Sequence, residues 1–344
     1  MKILIVGDWR YDIYEKALAN AFFKKRNIIA KFAINDYLKK RSFFIKLQNK
    51  FLLGPIFRKI NKDLIKRVEI EKPELVFIYR GNAIFAKTIK EIKKSKALVF
   101  GYNNDDPFSA KHPFYMWRHF LKAAPHYDHI FVYRQKNLDD YKKIGYRNTS
   151  LLRSYYLAEK NFPIKKLLSE KYKCDVIFVG HWENDGRDEY IKAIIDRGIN
   201  FKLFGSEWQR SKYYNFFKNK LGEIYSLDQD YNLAINSAKI VLCFLSKLNN
   251  DTYTRRNFEI PAAKTFMLSE YSNDLNELFA AGQQADYFRT KEEMIEKIKF
   301  YLQNSKEREK IALAGYQKLL TGGHEVLDRA KEVLAVFNKY KKLQ

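Results

Sequence analysis

Short apolar runs alternate along the chain with longer segments of helical period, and this alternation constrains the fold more than any other feature. The runs at 3–6, 30–34, 75–79, 97–101 and 128–133 read as buried strands. Helical stretches at 14–23, 83–94 and 135–143 lie between them. Residues 174–180, 201–205, 240–245 and 266–268 continue the pattern, with helices at 188–197, 233–238, 291–303, 305–320 and 325–340. Strands that alternate with helices predict parallel sheets covered on both faces. A chain of 344 residues buries two such cores. The fold class expected is therefore α/β, with two Rossmann-like parallel-sheet domains facing a central cleft.

The loops at strand ends carry the chemistry, because open α/β sheets bind ligands outside the C-terminal ends of their strands. The first strand ends in Gly7-Asp8-Trp9-Arg10, without the G-x-G-x-x-G dinucleotide fingerprint. Gly7 serves a tight turn or lets a substrate approach the backbone. The strand at 97–101 ends in Asn103-Asn104-Asp105-Asp106-Pro107. Asp105 and Asp106 are candidate catalytic bases, one accepting a hydroxyl proton while the other orients a loop. A helix cap or Asx turn is the alternative reading of Asp105-Asp106.

Residues 251–282 concentrate a polar turn, a short helix around Glu259, an apolar strand and an acidic-capped helix from Asn273. Arg255, Arg256 and Glu259 open the first of these helices, where a helix end and two guanidiniums hold an anion. A surface turn with an ordinary Arg–Glu pair is the other reading. Gly180-His181 and Gly205-Ser206 are further strand-end turns that admit a ligand close to the backbone. Together these features suggest a nucleotide diphosphate site without a phosphate loop.

His112, His119, His126 and His129 fall within eighteen residues, but their spacing and the intervening prolines do not make a zinc set. No metal site is expected. Two isolated cysteines in apolar runs form no disulfide framework, which points to the cytosol. The N-terminus lacks the apolar core of a secretory signal, and no stretch is long and apolar enough to span a membrane.

The net charge of +24 is uneven. Residues 1–170 hold 36 Lys/Arg against 16 Asp/Glu, and residues 171–344 hold 28 against 24. Residues 38–67 mix lysines with Phe43, Phe44, Ile45, Leu47, Phe51, Leu52, Leu53, Ile56 and Phe57, interrupted at Gly54-Pro55. That pattern suits a helix lying on a membrane surface and equally a packed helix with outward lysines. The field favours a polyanionic partner: an acidic lipid surface, an acidic glycan or nucleic acid. A non-catalytic polyanion- or nucleic-acid-binding protein is the alternative function, although no RNP, KH or finger pattern occurs.

The C-terminal half resembles the bacterial CgeB-like group of glycosyltransferases, related in fold to the GT-B class. The resemblance rests on VIFVGHW at 176–182, KLFG at 202–205, RNFEIPAA at 256–263, LSEYSNDLNELFAAG at 268–282 and YLQNSKEREKIALAGYQKLL at 301–320. NNDDPF at 103–108 and YDHIFVY at 127–133 are compatible with it. Lys264-Thr265 departs from the group, which commonly has a glycine-rich turn there. The resemblance implies an acceptor-binding domain at 1–160, a linker at 161–173, a nucleotide-sugar donor domain at 174–324 and a helix at 325–344 crossing back to the first domain. It implies that Glu259 contacts the donor ribose and Arg256, with Arg255, the phosphates. It places Gly180, His181 and Gly205 in loops lining the nucleotide, with Asp274 shaping that pocket, and it implies Asp105, Asp106 or Asp8 of the first domain as the base. The implied activity is transfer of a sugar from a nucleoside diphosphate donor to a hydroxyl of a glycan or lipid-linked acceptor, in cell-surface polysaccharide synthesis. It implies no permanently bound cofactor, and a cytoplasmic enzyme, peripheral at the inner face of the cell membrane.

Overall fold

The computed structural model describes residues 1–39, 42–164 and 170–343. The chain divides into two compact units, Met1–Arg153 with Val326–Gln344, and Ser154–Glu325. The segment at 158–173, read from the sequence as a helix or linker, includes 165–169, which lie outside the described residues.

The first unit is built on six strands: β1 (Lys2–Gly7), β2 (Ile28–Ala33), β3 (Leu75–Tyr79), β4 (Leu98–Asn103), β5 (His129–Val132) and β6 (Thr149–Leu151). They form one parallel sheet in the order β2-β1-β3-β4-β5-β6. β3 and β4 are buried at every residue, as expected of central parallel strands covered on both faces. The helix expected at 14–23 begins instead as a turn of π-helix, Asp12–Lys16, and continues as Ala17–Lys24. The basic segment forms two helices, Phe43–Phe51 and Pro55–Glu71, parted at Gly54. Pro55 fits because the first turn of a helix needs no proline N–H. Phe57, Ile60, Leu64 and Val68 line one face of the longer helix and enter the core. Burying each contributes about 2 kcal/mol. The C-terminal helix Val326–Lys341 packs on Ala17–Lys24, and Tyr340 donates its hydroxyl to the Asp128 carbonyl at 2.7 Å.

The second unit holds β7 (Cys174–Val179), β8 (Phe201–Phe204), β9 (Ala238–Cys243), β10 (Phe266–Glu270) and β11 (Asp286–Phe288). These too are parallel, in the order β11-β10-β9-β7-β8. Its core joins Phe178, Leu242 and Leu268 of the strands to Ile194, Ile298 and Ile311 of the covering helices. The sequence reading omitted the helix Tyr214–Leu221 and the short strand β11. The helix carries Tyr214, Phe216 and Phe217 among lysines and has no clear period; β11 has three residues, too few to show alternation. Among the described residues, no helix is long and apolar enough to cross a membrane.

Candidate functional site

Each sheet has one point where the strand order reverses, and loops diverge there to leave room for a ligand. In the second unit the reversal lies between β7 and β9. β7 leads into Gly180-His181-Trp182-Glu183, and β9 into Phe244-Leu245-Ser246. The Ser246 hydroxyl donates to Glu183 across this point at 2.7 Å. His181 lies 3.0 Å from the same carboxylate, and the buried Arg187 guanidinium 3.4 Å from it. Burial raises the Glu183 pKa, but the His181 hydrogen bond, the Arg187 charge and Ser246 outweigh it and hold it at about 2. Glu183 and Arg187 were not singled out from the sequence, because a Glu three residues past a strand-end glycine has no distinctive spacing.

The glycines have a structural reason of their own. Gly205 has φ +141°, and a Cβ there would lie 1.9 Å from the Gly180 carbonyl oxygen. A Cβ on Gly180 would meet the Phe178 ring at 2.6 Å. The space beside these glycines, read from the sequence as room for a ligand, is filled by the protein's own backbone and ring. The Gly180 carbonyl accepts from the Trp208 indole at 2.9 Å, and the Gly180 N–H donates to the Phe204 carbonyl at 2.9 Å. The two loop ends thus brace one another.

Arg255 and Arg256 begin the helix Arg256–Ala262. Arg255 pairs with the buried Glu259 and stacks over Tyr155 at 5.1 Å. Arg256 lies 5.7 Å over the Phe178 ring, which ties this helix to the end of β7. Its Nε is buried without a hydrogen-bond partner among the described residues. Burial opposes the Arg256 charge, but Cys243, Tyr231 and Glu259 offset it and leave its pKa raised. The Tyr231 hydroxyl is pushed well above its ordinary value, by burial first and then by the Glu259 charge. A half-buried cation with an unsatisfied N–H is costly unless a ligand completes it. Asn257 fixes the turn before the helix, accepting from the Thr254 N–H at 2.7 Å and donating to Ser269 at 3.1 Å. Asp274 accepts from the Thr252 hydroxyl at 2.8 Å and so ties that turn to the helix Asn273–Leu278.

In the first unit the reversal lies between β1 and β3. Asp8 follows β1 and chelates Arg10 at 2.6 and 2.8 Å. Arg80 follows β3 and pairs with Asp105 beyond β4. Trp9 and Arg80 both adopt left-handed backbone, with φ of 65° and 64°. Such conformations concentrate where a site over-determines its geometry. Trp9 Nε1, Arg80 Nε, Asn103 Nδ2 and Asn104 Oδ1 are buried without hydrogen-bond partners among the described residues. Gly7 leaves room for Glu15, whose carboxylate would lie 2.3 Å from a Cβ and accepts from the Asp8 N–H at 2.8 Å. The Gly7 gap is therefore occupied by Glu15, not open to a substrate. Burial raises the Glu15 pKa, partly offset by backbone N–H donors.

Asp106 differs from the other two candidate bases. It is wholly buried and accepts from Asn137 at 2.8 Å and from the Phe108 N–H at 3.0 Å. Lys136 stands 3.5 Å away. These partners make it an internal anchor for the helix Gln135–Lys143, the Asx-turn reading rather than the base. Three of the clustered histidines have separate surroundings: His119 meets the Leu52 carbonyl, His129 meets Ser150, and His112 packs on Trp117. No three His, Cys, Asp or Glu residues converge on a metal position among the described residues.

Residues 187–335 match the family model described as Glycosyl transferase-like. No curated protein sequence matches the chain significantly. Among solved structures, HepE from Anabaena, in complex with UDP and glucose, superposes with a TM-score of 0.72 at 10% identity, over 98% of this chain and 100% of that one. Sucrose-phosphate synthase from Thermosynechococcus elongatus gives 0.73 at 9% identity, over 100% of both chains. A putative UDP-N-acetylglucosamine 2-epimerase from Listeria monocytogenes gives 0.64 at 12% identity, over 100% of this chain and 97% of that one. The fold is thus the GT-B fold of two parallel-sheet α/β domains. A Glycosyl transferase-like region covers most of the second of them.

Proposed function

We propose that this protein is a glycosyltransferase that takes a sugar from a nucleoside diphosphate donor and transfers it to a hydroxyl group. The observation that carries the reading is the Arg256 guanidinium beside the β7 strand end, with its buried Nε unpaired among the described residues. It lies inside the region that matches the Glycosyl transferase-like model. HepE is in complex with UDP and glucose on the same fold, which supports a nucleotide-sugar donor and makes UDP the nucleotide proposed for the tests below. Arg256 contacts the diphosphate, and its charge stabilises the leaving group as the glycosyl bond breaks. Glu259, aligned by Arg255, accepts from the ribose hydroxyls. His181 borders the nucleotide, the braced glycines Gly180 and Gly205 hold its loop in place, and Asp274 secures the turn that presents the arginines.

The acceptor loses a hydroxyl proton, and Asp8 is the base assigned to it. Its side chain is 32% exposed, against 13% for Asp105 and none for Asp106. Asp105 holds Arg80. The resemblance to CgeB-like enzymes and the basic first unit favour an acidic glycan or lipid-linked acceptor in surface polysaccharide synthesis, with the protein at the inner face of the cell membrane. The test is a binding screen with UDP-, GDP-, ADP-, CMP- and dTDP-linked sugars, followed by transfer assays. Saturable binding of one donor that Arg256→Ala weakens by about tenfold or more supports the assignment. Binding of none of them, or tight nucleic-acid binding instead, refutes it.

A second reading has an observation behind it, since the Listeria epimerase shares the fold. Epimerisation of UDP-N-acetylglucosamine without any acceptor would select it over transfer.

A further inference from the structure

The helix Phe43–Phe51 buries none of its nine residues. Phe43, Phe44, Leu47 and Phe51 recur at helical spacing and form one outward stripe. Phe43 and Phe44 are each 73% exposed. The inward side is accounted for: Ile45 turns to a groove shared with Ile56 and Lys59, and Gln48 accepts from the Ile56 N–H at 2.9 Å. The stripe is therefore not a core face on the wrong side.

A second segment extends it. The Phe51 ring meets Tyr115 at 5.2 Å, and Tyr115 meets Phe114 at 5.5 Å, with Phe114 86% exposed. Arg118 donates to the Phe51 carbonyl at 2.5 Å and fixes the two segments together. An exposed apolar surface of this kind is rare unless something covers it.

Charge identifies the cover. Residues 42–62 hold five Lys/Arg, and residues 107–127 hold three; neither segment contains an Asp or Glu. Lys46 and Lys50 border the aromatic stripe on its own helix, and both are exposed. A protein partner that covers aromatics requires shape complementarity but no uniform positive field. Aromatic rings framed by lysines, with Asp36 and Asp63 confined to the groove on the inward side of Ile45, match an anionic lipid surface: rings enter the acyl boundary while the ammonium groups meet headgroup phosphates.

We propose that the helix Phe43–Phe51, together with Phe114, docks the first unit onto an anionic membrane surface. This deepens the lipid-linked reading above by naming its surface, and it holds or fails independently of the transferase chemistry. The experiment uses the full chain with sucrose-loaded vesicles of phosphatidylcholine alone, or of phosphatidylcholine and phosphatidylglycerol in equal parts. At low salt the wild type sediments with the anionic vesicles and not with the neutral ones. The exposed-site variant Phe44→Ser/Leu47→Ser/Phe114→Ser binds them about tenfold or more weakly. Lys46→Glu/Lys50→Glu loses a similar factor and flattens the salt dependence. UDP binding, measured on each variant, stays at the wild-type level, so a failure here is separate from a failure of the donor site. Absence of wild-type binding at low salt overturns the proposal, as does unchanged binding by both variants. A wild-type dimer that the serine variant dissociates, with no vesicle binding, assigns the face to self-association and overturns it too.

Discussion

At the scale of single residues, the two candidate sites differ in how they hold charge. In the second unit, Arg256 has a buried N–H to offer, whereas Arg255 is committed to Glu259. Arg256→Ala should therefore weaken UDP binding by about 10- to 100-fold, the range for losing a charge-assisted hydrogen bond. Titration calorimetry with UDP measures it; an unchanged affinity would remove Arg256 from the site. Arg255→Ala should act through Glu259 and leave its carboxylate less ordered. Asp8→Asn in the first unit should lower kcat with little change in donor binding, since Asp8 is assigned to the proton and not to the nucleotide. The residue types were legible in the sequence, because Arg-Arg-x-x-Glu opens a helix and Asn-Asn-Asp-Asp stands at a strand end. Their partners were not. Tyr231 meets Glu259 and Arg256 only through the fold, and Glu183, Arg187 and Glu15, though within a few residues of their partners, stand at no motif spacing that marks them. For the same reason Asp105 and Asp106, adjacent in sequence, have opposite situations: Asp105 faces Arg80, and Asp106 is sealed behind Asn137.

At the scale of elements, strand ends fix the backbone that carries these side chains. Gly205 combines a positive φ with a carbonyl at the position of its missing Cβ. Gly205→Ala must open the contact between the β7 and β8 loops, with an expected cost of about 3 kcal/mol or more. Urea unfolding followed by tryptophan emission reads this, with Trp208 on the affected carbonyl as the reporter. The central strands were the most legible elements, since β1, β3, β5 and β9 lie in apolar runs between turn residues, whereas β6 and β11 do not. The exact start of the first helix was not, because a π-turn has no sequence period of its own. His129 shows a second element-level effect. It lies in β5 against Ser150 and the Tyr340 ring, and burial lowers its pKa from 6.5 to about 4. The unfolded state then binds more protons between pH 6.5 and 4, so stability falls as pH falls through that window. The full effect is about 3 kcal/mol. His129→Gln should remove that pH slope in the first unit while Ser150 keeps a partner. Urea midpoints measured across the window would refute this if wild type and variant ran parallel.

At the scale of the molecule, two units with separate cores have been assembled from one chain, and the first is discontinuous. It needs Val326–Lys341 to cover Ala17–Lys24, although the second unit intervenes in sequence. The sequence carried the number of cores and the parallel sheets, through alternation and length. It carried the uneven charge as well, which the structure resolves into a lysine-framed aromatic face on the first unit. Which unit a distant helix joins was beyond local pattern, because an amphipathic face states that a helix is covered and not by what. The division has a thermodynamic consequence. A nucleotide that binds only the second unit stabilises only that unit's folded state, by about 2.7 kcal/mol at a hundredfold excess over Kd. Heating with saturating UDP should therefore raise the unfolding transition of 154–325 and leave that of the first unit in place. Ending the chain after Glu325 should do the reverse, because it removes the helix that packs on Ala17–Lys24. The first unit should lose its cooperative transition while the second still shifts with UDP. Differential scanning calorimetry of both chains provides the test. A single transition that moves as one with UDP, or a truncated chain that no longer binds it, would mean that neither unit's stability stands apart from the other's.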